Sequence, residues 1–445
     1  MDMNIRKSVL LVFALIFFAG DGVAGVKSAE GDKYGYLKDR ILNSNVENVL
    51  VPFTESSSSL SFKGVEDAKS AVWSLWKEVN DEFEKLPSAS NINGDELVLH
   101  SWELIDEDPM PFYYIKKVSD VEENLKPLFL NLHGSGSKFI EFPTTLKLSE
   151  SYKDVPSVYF IPQIPSERRY RWWYQPVQNA WEKLFRLAML NDEIDANRIH
   201  IIGISEGGYG SQRLGAYYAD YLAGVGPMAG GEPLKNAPPL NYRHVAFSFH
   251  TGEHDRMFGR NELTALAGSV FDSLATVYPG EFVHNIVIQK DKGHAVDYSL
   301  TTPWLVDYTR NIAPMNISWV HFPMHNRYRK GFYNVAMEVF PNIKEEDKFN
   351  RILFDIRFDK KKNVVTIDAS LMDDEMNELK EIDNGRIALF LDERYVNLKK
   401  KVKVVYNGDV VFNNKLKLDE SNLIESCGLF GDPERLFPAK VSINL

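Results

Sequence analysis

The fold is decided by the stretch Arg198-Ile199-His200-Ile201-Ile202-Gly203-Ile204-Ser205-Glu206-Gly207-Gly208-Tyr209-Gly210. The β-favouring run from Ile199 to Ile202 predicts a strand, and a helical pattern follows the G-x-S-x-G pentapeptide. This context is typical of a nucleophile elbow, because the glycines let strand and helix approach closely around a sharply turned serine. We therefore predict that Ser205 is a nucleophile and that the backbone N–H of Glu206 stabilises an oxyanion. The simpler alternative is a glycine-rich turn with a bystander serine.

Length and composition limit the classes of protein that fit. A chain of 445 residues is expected to form two or three units, and 44% hydrophobic with 25% charged residues indicates a globular protein with a core. The formal net charge of −11 argues against general affinity for nucleic acid or anionic membranes. A local basic pocket could still bind an anionic substrate. Cys427 is the only cysteine, so an intramolecular disulfide is excluded.

Residues 1–25 have the pattern of a signal peptide. Arg6 and Lys7 precede an apolar run, and small residues follow it, with cleavage expected near Ala24 or Gly25 and Ala29 as a second candidate. The run is shorter than the roughly 20 apolar residues that a membrane-spanning helix needs. We expect a periplasmic or secreted protein without a membrane anchor.

The rest of the chain divides into three predicted parts. Residues 26–95 form an N-terminal helical extension, in which apolar residues recur at helical spacing after Val65. Residues 96–312 alternate between strand and helix patterns, which predicts an α/β fold with a doubly wound, mostly parallel sheet. Residues 313–445 alternate apolar and polar positions and contain the hairpin signal Asn407-Gly408, which predicts a C-terminal antiparallel, sandwich-like β domain.

A serine nucleophile needs a base and an acid that orients the base. In α/β-hydrolases the chain order is serine, acid, histidine. The acid is expected in the loop after the strand that ends near Phe249, where Asp255 is the first choice and Glu253 the substitute. The base is expected after the last strand, which indicates His294. His250 and His254 are four residues apart but straddle a strand end, so we expect no metal, and nothing in the pattern calls for a cofactor.

The second oxyanion donor is expected where the strand Pro127–Leu132 ends. The sequence there is His133-Gly134-Ser135-Gly136-Ser137, and its small residues would let a backbone N–H reach the reacting carbonyl oxygen. We therefore predict Gly134 and Ser135 as donors. An ordinary Gly/Ser turn is the alternative.

A dense group of cationic and aromatic residues runs from Glu167 to Gln175. Guanidinium groups can hold a carboxylate bidentately, and aromatic faces suit pyranose rings. The predicted substrate-binding residues are Arg168, Arg169, Arg171, Trp172, Trp173 and Tyr174. An anchoring cluster with solvated arginines is the alternative interpretation.

These motifs resemble those of known esterases. Asp195-x-Asn197-Arg198-Ile199, His133-Gly134, Gly252-x-x-Asp255 and Gly293-His294 resemble the branch near polyhydroxyalkanoate depolymerases and feruloyl esterases. The two-domain layout, with Gly431-Asp432-Pro433-Glu434 and Phe437-Pro438-Ala439, is similar to Bacteroidetes periplasmic hydrolases, and in particular to the pectin methylesterases of carbohydrate esterase family nineteen, which act on the rhamnogalacturonan-II backbone. The resemblance implies Ser205 as nucleophile, Asp255 as acid and His294 as base.

The resemblance also implies a substrate, an acidic oligosaccharide or polysaccharide whose galacturonate methyl esters are cleaved. Glu206 stands where the wider branch has a small or neutral residue. Its carboxylate would repel an anionic substrate unless it is paired, for example with an arginine from the 168–171 cluster.

Several alternatives stay open at this point. An acetyl or feruloyl esterase acting on polysaccharide fragments keeps the same chemistry. A serine peptidase would have the same fold but would hydrolyse a peptide bond instead of an ester bond. In a non-catalytic carbohydrate-binding protein there would be no hydrolysis, and Ser205 would have no catalytic role.

Overall fold

The computed structural model describes residues 33–44, 49–55, 57–94, 96–118, 125–166 and 171–445. The predicted signal peptide lies outside these residues. Two helices of the N-terminal extension are described, α1 (Lys33–Leu42) and α2 (Val65–Asn80). Their apolar faces form a cluster with Leu423, Ile424 and Cys427 from near the C-terminus. Every helix in the described ranges is too short or too polar to cross a bilayer.

One mixed sheet forms the centre of the molecule. Its nine strands, counted over the described residues, are β1 (Ser90–Asn91), β2 (Leu99–Leu104), β3 (Glu107–Lys117), β4 (Lys126–Leu132), β5 (Ser157–Pro162), β6 (Ile194–Ile204), β7 (Gly224–Met228), β8 (Ala246–Gly252) and β9 (His284–Gln289). Their order is β1-β3-β5-β4-β6-β7-β8-β9, with β2 paired to β3. The six neighbouring strands β5-β4-β6-β7-β8-β9 are parallel to one another, whereas β3 is antiparallel to its neighbour β5. The prediction of a mostly parallel, doubly wound sheet is confirmed.

Helices cover both faces of this sheet. They are α3 (Lys138–Ser151), α4 (Gln175–Met189), α5 (Glu206–Tyr217), α6 (Arg260–Val277) and α7 (Thr301–Leu305). Leu128 and Leu130 of β4 belong to the core cluster shared with α4, α5 and α6, whereas Phe129 packs with residues of α3 and α7. Side chains of a strand alternate between faces, so a continuous apolar run such as Leu128–Leu130 supplies both layers.

The C-terminal part contains two further sheets and one helix. Their elements are β10 (Asn316–His321), β11 (Gly331–Phe332), β12 (Val335–Val339), β13 (Arg351–Asp359), β14 (Val364–Met372), β15 (Leu379–Lys380), β16 (Arg386–Leu391), β17 (Lys401–Tyr406), β18 (Asp409–Lys415), β19 (Ala439–Asn444) and α8 (Glu420–Phe430). Over the described residues, one sheet has the order β10-β13-β14-β17-β18 with β15 on β14, and the other has the order β11-β12-β16-β19. Trp319 of β10 stacks on Phe332 of β11 with ring centroids 5.3 Å apart, which joins the two sheets.

The pairing of these sheets differs from the prediction at one place. All pairs are antiparallel except β14 and β17, which are parallel. After β14 the chain forms β16 in the other sheet and then returns to the first sheet. It re-enters in the same direction as β14, so β17 is parallel to β14. The predicted antiparallel C-terminal unit is confirmed with this one parallel pair as its exception, and the hairpin at Asn407-Gly408 is confirmed by β17 and β18. The domain boundaries at residues 95 and 312 stay predictions.

A buried ionic network connects distant parts of the chain. The carboxylate of Asp432 accepts hydrogen bonds from Arg310 at 2.6 and 3.1 Å and from Arg435 at 2.7 Å. Arg435 and Arg329 both donate to Asp220. Burial alone would raise the pKa of Asp432, but the two guanidinium charges beside it lower that pKa well below its usual range.

Candidate active site

Ser205 lies at a sharp turn between β6 and α5. Its backbone φ of 55° and ψ of −112° are unusual for a residue with a side chain. The motif glycines are required by close approach: a Cβ atom on Gly203 would lie 2.3 Å from the carbonyl oxygen of Gly207, and one on Gly207 would lie 2.0 Å from the carbonyl oxygen of Leu132. The predicted strand, tight turn and helix are all present at these residues.

The structure brings Ser205, His294 and Asp255 into one hydrogen-bonded chain. Nε2 of His294 lies 3.0 Å from Oγ of Ser205, and Nδ1 of His294 lies 2.7 Å from Oδ2 of Asp255. Asp255 follows β8 and is buried, whereas His294 follows β9 and its side chain is 47% exposed. A carboxylate only accepts, so Nδ1 carries the proton and Nε2 is left to accept the serine proton. The arrangement can therefore move a proton from Ser205 to His294.

Glu253, the substitute acid, makes a different contact. Its Oε2 accepts a hydrogen bond of 2.9 Å from the backbone N–H of Asp291. The geometry therefore favours Asp255 over Glu253 as the partner of His294.

The two histidines at the end of β8 lie in different environments. His250 is buried in β8, and burial lowers its pKa to about 4. His254 lies on the surface, where its ligand atom and those of Glu253 and Asp291 come within 4.8 Å of one another. Exposed groups of this kind are common without a bound ion.

Arg260 is a site residue that the sequence did not reveal. It is the first residue of α6 and is buried. Its Nη1 lies 3.0 Å from Oδ1 of Asp255, and its Nε donates to the hydroxyl of Tyr209 at 2.9 Å. Asp255 therefore accepts from His294 with one oxygen and from Arg260 with the other. The available signal was an arginine five residues after the predicted acid.

The turn after β4 lies directly beside the serine. A Cβ atom on Gly134 would lie 3.3 Å from Cβ of Ser205. His133 fixes this turn: its Nε2 accepts from the backbone N–H of Ile164 at 2.9 Å, and its Nδ1 donates to the carbonyl of Gly134 at 2.7 Å. Ser135 is the next residue and is exposed. Gly134 thus lies beside Ser205, and the role of Gly134 and Ser135 as oxyanion donors stays a prediction.

Glu206 occupies the first position of α5. The first backbone N–H groups of a helix lack intrahelical acceptors, so the N–H of Glu206 is suited to bind an oxyanion. Its side chain pairs with Arg171, whose Nη1 lies 3.1 Å from Oε1 of Glu206. Burial raises the pKa of Glu206 and the charge of Arg171 lowers it. The expected pairing of Glu206 with an arginine of the cluster is present.

A second carboxyl group lies against the turn after β4. Cβ atoms on Gly134 and Gly136 would lie 3.0 and 2.7 Å from the two carboxyl oxygens of Glu141. Burial raises the pKa of Glu141, and the nearby His294 opposes that rise. No sequence motif marks this residue, which lies in the first turn of α3.

The predicted substrate-binding cluster is only partly in place. Arg168 and Arg169 lie outside the described residues, and the side chain of Arg171 is 44% exposed. Tyr174 is partly buried and stacks on His325, with ring centroids 4.3 Å apart.

The predicted stacking of sugars on Trp172 and Trp173 is wrong, because both side chains are buried, at 0% and 8% exposure. The Trp172 indole packs beside Trp181 of α4 and donates to the carbonyl of His133 at 3.2 Å. The Trp173 ring lies under the guanidinium of Arg213, 4.1 Å from the ring centroid. For these two rings the anchoring interpretation is correct, and Trp172 helps to hold the turn after β4.

The fold is of the α/β-hydrolase type. No protein-family model matches the chain, and no curated protein matches its sequence. Similar solved structures include a thermostable esterase with 18% identity over 48% of this chain and 63% of that chain (TM-score 0.37). They also include the BES protein from Bacillus cereus, with 12% identity over 47% of this chain and 93% of that one (TM-score 0.35).

A ferulic acid esterase is similar at 15% identity over 47% of this chain and 97% of that one (TM-score 0.32). The match spans less than two thirds of the length of the thermostable esterase.

Proposed function

We propose that this protein is a serine carboxylic-ester hydrolase. The observation that carries the proposal is the continuous hydrogen-bonded chain from Oγ of Ser205 through His294 to the buried carboxylate of Asp255. A serine hydroxyl is a weak nucleophile until an oriented base removes its proton.

The reaction follows from the position of each group. Ser205 attacks the ester carbonyl while His294 takes the hydroxyl proton, and the imidazolium that forms is stabilised by Asp255. The oxyanion is held by the N–H groups of Glu206 and of the turn at Gly134 and Ser135, each worth about 2.7–4 kcal/mol where such donors have been removed from enzymes. His294 then gives its proton to the departing alcohol. Water repeats the sequence on the acyl-enzyme and releases the acid.

The proposed substrate is a galacturonate methyl ester in the pectic rhamnogalacturonan-II backbone, met in the periplasm or outside the cell. The motif resemblance supports this substrate, and so does a half-exposed guanidinium, that of Arg171, next to the residue that follows the nucleophile. Pairing with Arg171 also reduces the repulsion between Glu206 and an acidic substrate. The side chain of Arg171 could turn to a free carboxylate on a neighbouring sugar.

This assignment of Arg171 gives a prediction with a matched control. Arg171→Met should lower kcat/KM on an acidic methyl-esterified oligosaccharide by about 10- to 100-fold, which corresponds to the free energy of one charge-assisted hydrogen bond. The same variant should hydrolyse a small neutral aryl ester as fast as the wild type. Glu206→Gln keeps the backbone N–H and removes the negative charge that repels an acidic substrate, so it should raise the preference for the acidic substrate. Equal losses on both substrates in Arg171→Met would mean that the arginine is structural.

A second candidate substrate is an ester with an apolar acyl group, such as a feruloyl ester. Phe139 and Ile140 follow the oxyanion turn, Met257 and Phe258 follow Asp255, and all four are exposed large apolar side chains. Apolar side chains in the segments that flank a catalytic centre favour an acyl group that they can cover.

Product analysis separates these candidates. The protein and its Ser205→Ala variant are incubated with methyl-esterified, acetylated and feruloylated pectic oligosaccharides, and released methanol, acetate and ferulate are quantified. Methanol release that Ser205→Ala abolishes supports the methylesterase, and ferulate release supports the second candidate. Acetate alone would contradict both. Cleavage of amides only would identify a peptidase, and binding without turnover would identify a carbohydrate-binding protein.

A further inference from the structure

We propose that the carboxylate of Glu141 binds a hydroxyl group of the substrate beside the scissile ester and so determines specificity. This inference rests on the proposed hydrolysis of a sugar methyl ester and adds the group that recognises the sugar. Glu141 lies in the first turn of α3. The position of a Cβ atom on Gly134 would be 3.0 Å from Oε2 of Glu141 and 3.3 Å from Cβ of Ser205. The carboxyl group and the serine therefore flank the same glycine.

The carboxyl group of Glu141 has no hydrogen-bond donor and no ion-pair partner among the described residues. Two side chains near it could donate, and both are engaged elsewhere. The ring nitrogens of His294 contact Asp255 and Ser205, and the hydroxyl of Tyr298 donates to the carbonyl of His294 at 3.3 Å. An acceptor is therefore left open beside the nucleophile.

This acceptor is within reach of a bound molecule. Glu141 is only partly buried, and protein atoms do not enclose either of its carboxyl oxygens. Partial burial still removes some hydration from the carboxylate, which raises the pKa of Glu141. A substrate that displaces the remaining water from this position loses affinity unless it donates a hydrogen bond in place of that water.

The chemistry of the substrate decides which part of it can donate. In a galacturonate methyl ester the methoxy group has no donor, whereas the sugar ring that carries the carbonyl has hydroxyl groups. A hydroxyl that donates to a carboxylate forms a charge-assisted hydrogen bond. The negative charge of Glu141 also opposes the oxyanion on Ser205, and an ester without hydroxyl groups gains nothing that offsets this repulsion. Glu141 should therefore favour hydroxylated acyl groups and disfavour plain ones.

Two methyl esters test this role with the full chain, the methyl ester of methyl galactopyranosiduronate and methyl tetrahydropyran-2-carboxylate, which lacks the hydroxyl groups. Glu141→Met should lower kcat/KM on the sugar ester about 10- to 100-fold, and Glu141→Gln, which keeps a neutral acceptor, should lower it less. Both variants should hydrolyse the hydroxyl-free ester at least as fast as the wild type. Glu150→Met, at an exposed position of the same helix, is the matched control and should change neither value.

The comparison separates a recognition role from a structural one. Thermal melting is measured for each variant, and equal losses on both esters in a folded Glu141→Met variant would mean that Glu141 only supports the turn after β4. That result would overturn this inference and leave the proposed esterase intact. Turnover of an aryl acetate but of neither methyl ester by the wild type would instead overturn the proposed substrate, and the role of Glu141 with it.

The pH dependence of the kcat/KM ratio of the two esters gives an independent readout. His294 must be neutral for both esters, so its titration cancels in the ratio. Tyr298 stays neutral at these pH values, because burial raises its pKa. As the pH falls through the raised pKa of Glu141, its carboxylate is protonated and the preference for the sugar ester should fall. The ratio should not change with pH in Glu141→Gln. A wild-type ratio that is constant from about pH 7 to about pH 4 would overturn the proposal.

Discussion

Replacing Asp255 by asparagine should remove nearly all turnover, because Arg260 decides which way the new amide points. Oδ1 of Asp255 accepts from Nη1 of Arg260 at 3.0 Å, and Oδ2 accepts from Nδ1 of His294 at 2.7 Å. An asparagine has one acceptor oxygen and one donor nitrogen. The guanidinium is charged and cannot accept, so the amide oxygen will face Arg260 and the NH₂ group will face His294.

This orientation changes the tautomer of His294. With an NH₂ group opposite, Nδ1 must accept, and the proton moves to Nε2, which then cannot take the proton of Ser205. In the triad of a serine protease, the corresponding change of aspartate to asparagine lowers kcat by about 10⁴, or roughly 5.5 kcal/mol. Here a charge-assisted hydrogen bond of about 1.5–3 kcal/mol fixes the amide, so the productive orientation is about 10- to 100-fold rarer than without Arg260.

The assay is kcat/KM on an aryl acetate for four proteins: wild type, Asp255→Asn, Arg260→Met and the double variant. The double variant should be about 10- to 100-fold more active than Asp255→Asn, because its amide can rotate to offer oxygen to His294. Glu253→Gln, in the same loop, is the matched control and should retain nearly full activity. A double variant no more active than Asp255→Asn would refute the role given to Arg260, and a Glu253→Gln variant worse than Asp255→Asn would refute the choice of acid.

Three further predictions concern the same chain. Ser205→Ala and His294→Ala should each abolish aryl-acetate turnover, and the double variant should be no slower, because the two groups act as one unit; additive losses would contradict this. Asp432→Asn should lower the free energy of unfolding in urea by about 3–5 kcal/mol, since it leaves two buried guanidinium groups opposite an amide; a change below about 1 kcal/mol would mean that water screens the network. Burial alone would raise the pKa of Asp419, but hydrogen bonds to its carboxylate lower it to about 2, so its stabilisation is present above about pH 4 and is lost as the pH falls towards 2. Asparagine is an equally good N-cap but lacks the negative charge, so Asp419→Asn should cost about 0.3–1 kcal/mol at pH 7 and almost nothing near pH 2 in denaturant melts, and a constant difference across pH would contradict the assignment.

The sequence is sufficient to place the candidate nucleophile, base and acid because each lies directly after a readable strand. Parallel strands present their carboxyl ends at one edge of the sheet, so residues after β6, β8 and β9 must meet there. The glycines of the elbow add a local constraint that only a strand-to-helix turn explains. Ser205, Asp255 and His294 can thus be predicted to be close before any distance is known.

Other features depend on contacts that no local pattern encodes. Arg260 and Glu141 reach the site from helix starts, and their side-chain directions follow from packing. The sequence suggests that Trp172 and Trp173 are exposed sugar-binding rings. A sugar-binding loop and a buried anchor can have the same mixture of aromatic and cationic residues, so composition alone does not distinguish them. The parallel pairing of β14 with β17 depends on β16 joining another sheet, which strand patterns alone do not reveal.

The buried network connects the C-terminal part of the chain to the helix that begins at the elbow. Helix α5 begins beside Ser205, and Asp220 follows its C-terminal end. Arg329 and Arg435, both from the C-terminal part, neutralise Asp220, and Arg435 is in turn held by Asp432. A chain cut before β10 would remove both cations that pair with Asp220, and breaking a buried ion pair by removing its partner is strongly destabilising. Loss of activity on such a truncation would therefore follow from the unsupported helix that carries the serine.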